Sequence, residues 1–281
     1  MSSQQGIRSN ILLVEQLSTI FCQEESTTYK SFDYMNSTEI LVSPSDRESL
    51  CLWGHSVVAA CGGVDRSTVA VAISYFDRYL SSSDPSAKQA LAHRFQFQLA
   101  FVACLVIALK VHSGFTVETS FISDEVCDGS YSAKEIVDME DKILRALNWY
   151  LNGPTPHDFI GGFLEVVPSI KPRHIDFVRR FSKHIADLGM TNYYVAMQCP
   201  SKIAFTSICC ALHHVYSVQQ STAVAIMQYL QVLTGLNPAD QELQQLLETM
   251  FTLMQDHSRR SLAASHNTDE SVSPHNSQLD V

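Results

Sequence analysis

The chain has 281 residues, a formal net charge of −10, 46% hydrophobic residues and 17% charged residues. That length suits about two domains, each able to bury a core. The acidic balance repels phosphate backbones and excludes nucleic acid as the main partner.

Residues 1–10 are polar, lack the apolar stretch of a signal peptide and are expected to be disordered. From Ile11 to about Gln23 the apolar residues Ile11, Val14, Leu17, Ile20 and Phe21 fall near one face and predict a short helix. Residues 24–45 are polar and end in Ser43-Pro44-Ser45, a helix-start signal. This N-terminal region, 1–45, precedes five predicted helices. The first covers about 46–61, with Leu50, Trp53, Val57 and Ala60 at helical spacing, and Gly62-Gly63 stops it. The second covers about 67–81, capped by Ser67 or Thr68, with Val69, Ile73, Phe76 and Leu80 as its stripe. The third covers about 87–112 and is apolar almost all round, as a central helix buried by its neighbours would be. Its uncharged run from Phe95 to Leu109 falls short of the roughly 18 residues a membrane span needs. No membrane association is expected. A shorter helix lies near 117–127. The fifth covers about 132–148, with Ser132 and Glu135 at capping-box spacing.

Gly153-Pro154 ends that group, and the pattern starts again. Helices are predicted near 156–166, 172–189, 200–216, 219–234 and 239–255, with Pro200 in the first turn of its helix. Residues 99–111 slide onto 203–215, pairing Leu99 with Ile203, Ala100 with Ala204, Phe101 with Phe205 and Val111 with Val215. No segment alternates like a strand flanked by hairpin turns. The expected fold is all-α: a short N-terminal helix, then tandem five-helix domains at 46–153 and 154–257. The tail 258–281, rich in Ser, Asn, His and Asp, is expected to be disordered.

Chemistry is sparse. The eight cysteines form no CxxC pair and sit mostly in apolar runs, where free cysteine acts as a small hydrophobe in a reducing compartment. Nucleus and cytoplasm are the expected locations. No nucleotide-binding or nucleophile motif is present, and Gly62-Gly63 and Gly161-Gly162 read as bends. The best metal candidate is Cys209, Cys210, His213 and His214, but four positions so close on one helix cannot all converge on a tetrahedral ion. The expectation is no enzyme, no metal and no cofactor. Asp138, Glu140 and Asp141 read as a solvated helix face.

A few charges fall at informative places. Asp77 lies one residue beyond Phe76 and borders the packed face, where an acid is costly unless paired. Arg47 could hold it with two bonds. Periodicity alone favours reading them as unrelated surface charges. Lys110 follows a long apolar run and could snorkel to solvent or stand on an apolar surface as a binding hot spot.

These residues resemble the cyclin box, the five-helix repeat of cyclins. Arg47 and Trp53 match an arginine followed six residues later by tryptophan. Tyr75, Asp77, Arg78, Leu80 and Ser81 match Tyr-x-Asp-Arg-x-Leu-Ser. Gln98 and Leu99 match the Gln-Leu pair that precedes the family lysine, here Lys110. Met139, Glu140, Leu151, Pro154, Thr155 and Pro156 match the Met-Glu motif that leads to Leu-x-x-Pro-Thr-Pro. The resemblance covers about 46–156; helix count alone supports the second box.

The resemblance implies a regulatory subunit that binds and activates a cyclin-dependent protein kinase in cell-cycle control. It implies a structural brace of Arg47, Asp77 and Leu99. Lys110 and Glu140 would face the kinase with Val111, above an apolar floor of Ile107, Leu144, Trp149 and Leu151. Leu50, Trp53 and Gln98 would belong to a first-helix groove for kinase substrates. The family lysine is commonly followed by an aromatic and two glutamates. Here Val111, His112 and Ser113 follow, which motivates an alternative: a cyclin-like scaffold that binds a partner without activating a kinase. Asp46, Ser49 and Ser56 replace usual groove members, which implies altered substrate docking. A DNA-binding factor of two cyclin boxes would need a basic face, which the net charge opposes. Arg259–Leu262 fits a short degradation motif, and Ser43-Pro44 and Ser273-Pro274 fit proline-directed phosphorylation.

Overall fold

Capping chemistry sets most of the helix starts. In a computed structural model, which describes residues 2–36, 40–112, 117–167, 172–215 and 220–269, Ser43, Ser132 and Thr155 each close a capping box with an acid three residues on. The acids are Asp46, Glu135 and Asp158, and Pro44 and Pro156 occupy first-turn positions. The helices are α1 (Ser2–Glu25), α2 (Pro44–Ala60), α3 (Ser67–Leu80), α4 (Pro85–Ala92), α5 (Arg94–His112), α6 (Thr119–Phe121) and α7 (Ala133–Ala146). They continue as α8 (Pro156–Val166), α9 (Pro172–Thr191), α10 (Tyr193–Ala196), α11 (Pro200–Val215), α12 (Gln220–Thr234) and α13 (Gln241–Asp269). Among the described residues no strand occurs.

Each repeat wraps one apolar helix. In the first, α5 packs against α3, α4 and α7, and Phe97 through Leu109 are buried apart from Gln98. Its length and composition would let it cross a membrane, yet 67% of its apolar window is buried inside the protein. Phe76 meets Phe97 and Phe101 edge-on at 4.9 and 5.2 Å. In the second repeat, α11 takes the same place among α8, α9 and α13, with Ile203 to Leu212 buried. Two separate cores result. α1 joins the second: Leu17 is buried in it, and Phe21 packs on Phe159 at 5.0 Å.

Several boundaries differ from expectation. α1 begins at Ser2, so the polar residues before Ile11 continue the helix and are not disordered. The expected 87–112 helix is broken at His93, whose extended backbone separates α4 from α5. α3 has Arg66, with no side-chain cap, at its N-cap; Asp65 Oδ1 accepts from Ser67 N at 2.8 Å. Beyond α6 the chain widens into a π-helical turn, Ile122–Val126, pinned by Ser123 donating to the Tyr131 carbonyl at 2.8 Å. Gly161 and Gly162 lie inside α8 rather than at a bend: a Cβ on Gly162 would stand 2.6 Å from Leu17. The expected disordered tail is helical through Asp269, since no residue from Gln241 to Asp269 is Pro or Gly to stop α13. Ser113, Ser273-Pro274 and the rest of 270–281 lie outside the described residues.

Candidate functional site

Asp77 points from α3 into the seam between the repeats and is met by Arg47 of α2. Nε donates to Asp77 Oδ1 at 2.8 Å and Nη2 to Oδ2 at 2.7 Å, with Arg47 fully buried. Nη1 crosses the seam to the carbonyls of Met190 and Thr191 at 2.9 and 3.0 Å. Those carbonyls end α9, where the helix dipole is negative and a cation is favoured. Burial alone would weaken the Arg47 cation; the adjoining Asp77 charge reverses that and holds its proton more tightly. Leu99 is buried in the first core nearby in the sequence motif but contributes packing, with no polar contact to the pair.

The segment from Ser26 to Asn36 straps the two repeats together. Tyr34 donates its hydroxyl to Asp77 Oδ1 at 2.7 Å, and its phenol is pushed well up, first by burial and then by that carboxylate. The Tyr193 hydroxyl accepts from Tyr34 N at 3.0 Å and Met35 N at 3.2 Å, and donates to Asp33 at 2.7 Å. Glu24, at the end of α1, accepts from Ser201 N and Ser201 Oγ, both at 2.7 Å, capping α11. Desolvation raises the Glu24 pKa despite those bonds.

A second ion pair joins α5 to α7 in the first repeat. Lys110 Nζ donates to both oxygens of Glu140 at 2.9 and 2.8 Å. The lysine side chain keeps 39% of its exposure and the glutamate 9%. Glu140 is therefore not part of the solvated face that carries Asp138 and Asp141, because α7 turns it inward beside Met139. Around the pair, Ile107 is buried, Leu144 and Leu151 are half-buried, and Val111 is 46% exposed.

Trp149 corrects the expected floor. It is 65% exposed and stands out from the surface. Asn148 and Trp149 both adopt left-handed backbone, φ +50° and +61°, an uncommon conformation for so large a side chain. The segment is held from beneath. Arg78 Nη2 donates to the Tyr150 carbonyl at 2.7 Å and Tyr75 donates to the Leu151 carbonyl at 2.9 Å. Arg78 also lies 5.2 Å over the Tyr29 ring, and burial lowers its pKa. Backbone strain retained by surrounding bonds is typical of a surface under functional constraint.

Leu50 and Trp53 are half-buried, with Trp53 edge-on to Phe101 at 6.3 Å. Gln98 accepts from the Tyr131 hydroxyl at 3.1 Å. Leu50 and Gln98 line a shallow depression of about 70 Å³ with Asp46, Ser49, Arg94 and Phe97. Arg94 and Asp46 approach to 3.6 Å across it.

The metal candidate does not assemble. Cys209 and Cys210 are buried, while His213 turns to Phe251 and His214 to Phe181. Burial pushes the Cys209 thiol up to about 12. Among the described residues no group of three His, Cys, Asp or Glu could hold a metal ion. Arg259 to Leu262 lie within α13.

The family model described as "Cyclin, N-terminal domain" matches residues 16–152, and that described as "Cyclin, C-terminal domain" matches 154–278. The chain belongs to the cyclin family. The two matches correspond to the two helical repeats, so both are cyclin boxes. Among its relatives, G2/mitotic-specific cyclin-2 of Antirrhinum majus is 35% identical over 144 residues, which cover 50% of this chain and 30% of the relative. Cyclin-A1-3 of Oryza sativa subsp. japonica is 28% identical over 192 residues, covering 66% of this chain and 36% of the relative. The aligned regions span about a third of these relatives. A solved viral cyclin from Herpesvirus saimiri superposes with a TM-score of 0.47 at 18% identity, covering 69% of this chain and 86% of that one.

Sequence reasoning missed Tyr34, Tyr193 and Glu24, whose bonds tie the N-terminal region to the second cyclin box across 158 to 177 residues. Tyr75 and Arg78 stood inside a quoted motif, but nothing in their spacing indicated that they hold the Trp149 segment.

Proposed function

We propose that this cyclin is the regulatory subunit of a cyclin-dependent protein kinase, and that it engages the kinase through the surface around Lys110. The observation that carries the reading is the half-exposed Lys110–Glu140 pair, rimmed by the outward-facing Trp149, Tyr150 and Val111. An apolar rim around a desolvated charge is how a few residues come to dominate an interface. Lys110 and Glu140 would present one polar anchor. Trp149 would enter an apolar recess of the kinase, and Ile107, Leu144 and Leu151 would support the patch from below. The cyclin would perform no bond chemistry. By binding the active kinase conformation better than the inactive one, it would shift the kinase toward activity. The mitotic and A-type names among its relatives support a cell-cycle role, and that role would place it in the nucleus and cytoplasm. Kinase substrates would dock at the depression lined by Leu50 and Gln98, with Trp53 one turn along α2 and with Asp46 and Arg94 altering which peptides fit.

The test is co-purification and kinase activation with Lys110→Glu. The reading expects kinase affinity to fall by about 30-fold or more while the helical circular dichroism spectrum is kept. Normal activation by this variant would sink the interface. Wild-type binding without activation would favour the scaffold role.

A further inference from the structure

A cluster of imidazoles around the buried His157 lies where the two cyclin boxes meet. His157, in the first turn of α8, is 5% exposed, and neither Nδ1 nor Nε2 makes an aligned hydrogen bond. Its Nε2 stands 2.9 Å from Oδ1 of Asp187 on α9, itself 8% exposed. From the other box, His55 of α2 faces this pair, with its Nε2 buried and unpartnered. His184 lies one turn before Asp187 at the exposed rim of the cluster, with its ring edge-on to His257 of α13 at 5.6 Å.

The other charges nearby do not relieve the cluster. Arg66, before α3, acts on both His55 and His184 as a like charge. Lys183 shares a small cavity with His157, His112 and Asp158. Asp158 is committed to the Thr155 capping box, and Asp65, in range of His157 and Lys183, accepts from Ser67. His112 is held by the Tyr75 hydroxyl at 3.1 Å. Asp187 is the carboxylate placed to take up one imidazolium; a second would find Arg66 and Lys183 instead.

We propose that this cluster is a proton-sensitive latch between the cyclin boxes, which loosens on acidification because it holds more imidazoles than carboxylates to neutralise them. The sign follows from burial. Desolvation, with the like charges of neighbouring histidines and Arg66, depresses the pKa of His55 and His184. The closed seam therefore binds fewer protons than the open one. Its stability is complete above the usual imidazole value of about 6.5 and is lost as pH falls below it. Carboxylates titrate mainly below about pH 5, which leaves a window for the histidines.

Peptide-level hydrogen exchange on the full chain at about pH 7.5 and about pH 5.5, corrected for intrinsic rates, reads the latch. Exchange in the second half of α2 and in α9 should rise about tenfold relative to α5 on acidification. The His55→Gln/His184→Gln double variant should lose that rise. Asp187→Asn should show it at higher pH. An unchanged wild-type ratio, or a full response in the double variant, would overturn the proposal. If the double variant loses its helical spectrum at pH 7.5, ring titration of wild-type His55 and His184 by NMR decides. Depressed values support the latch, and ordinary values overturn it.

Discussion

Arg47–Asp77 and Lys110–Glu140 are both bidentate pairs between residues thirty apart, each joining neighbouring helices of the first cyclin box. Their surroundings separate them. Arg47 is fully buried, binds two carbonyls of the second box as well as Asp77, and shares that carboxylate with Tyr34. Lys110 keeps 39% of its side chain open, and the same box exposes Trp149 and Tyr150. A pair whose donors are used inside the fold has little left to offer a partner. A pair with one open side and an apolar rim can be completed by one. Burying a pair makes its loss expensive without making its presence a large net gain.

The largest effect should come from Arg47→Ala. It leaves Asp77 buried against Tyr34 alone and strips two helix-end carbonyls, so unfolding free energy should drop by about 3–5 kcal/mol in urea titration. A loss below about 1 kcal/mol would erase the contrast between the pairs. Lys110→Met should cost less, about 1–2 kcal/mol in the same titration, because Glu140 keeps some access to water. A loss as large as that of Arg47→Ala would make both pairs structural. The smallest effect on stability should come from Trp149→Gly. Glycine accepts the left-handed backbone freely, so stability should hold or rise by about 1 kcal/mol. Kinase affinity should nevertheless fall, as measured by pull-down or calorimetry. Destabilisation by this change would mean the exposed ring packs in solution and is no free contact.

Helix positions were largely legible because capping boxes and apolar spacing are local. Ser132 with Glu135, Pro200 in the first turn of its helix and the stripe of α3 all stand where the sequence places them. Breaks that depend on one residue's backbone were less so: His93 carries no breaker signature, yet its extended conformation splits α4 from α5. Composition also misled at the ends. Polar residues before Ile11 and from 258 onward read as disordered, although a chain with few breakers can continue a helix begun by a packed segment. At the candidate site the motifs located Lys110, Glu140 and Trp149 without showing which was open. Glu140 is buried and Trp149 exposed, the reverse of what an acid and a tryptophan suggest from composition.

By itself, then, the sequence determined an all-helical chain of two repeats, each around one largely apolar helix, and the motifs of a cyclin box. Periodicity and capping are properties of neighbours within a few residues. The tertiary structure alone decided that Arg47 also binds the end of α9, that Glu24 caps α11, and that Arg78 and Tyr75 hold Trp149 outward. Those contacts join groups 72 or more residues apart, a distance over which only the packed fold can bring a donor to its acceptor.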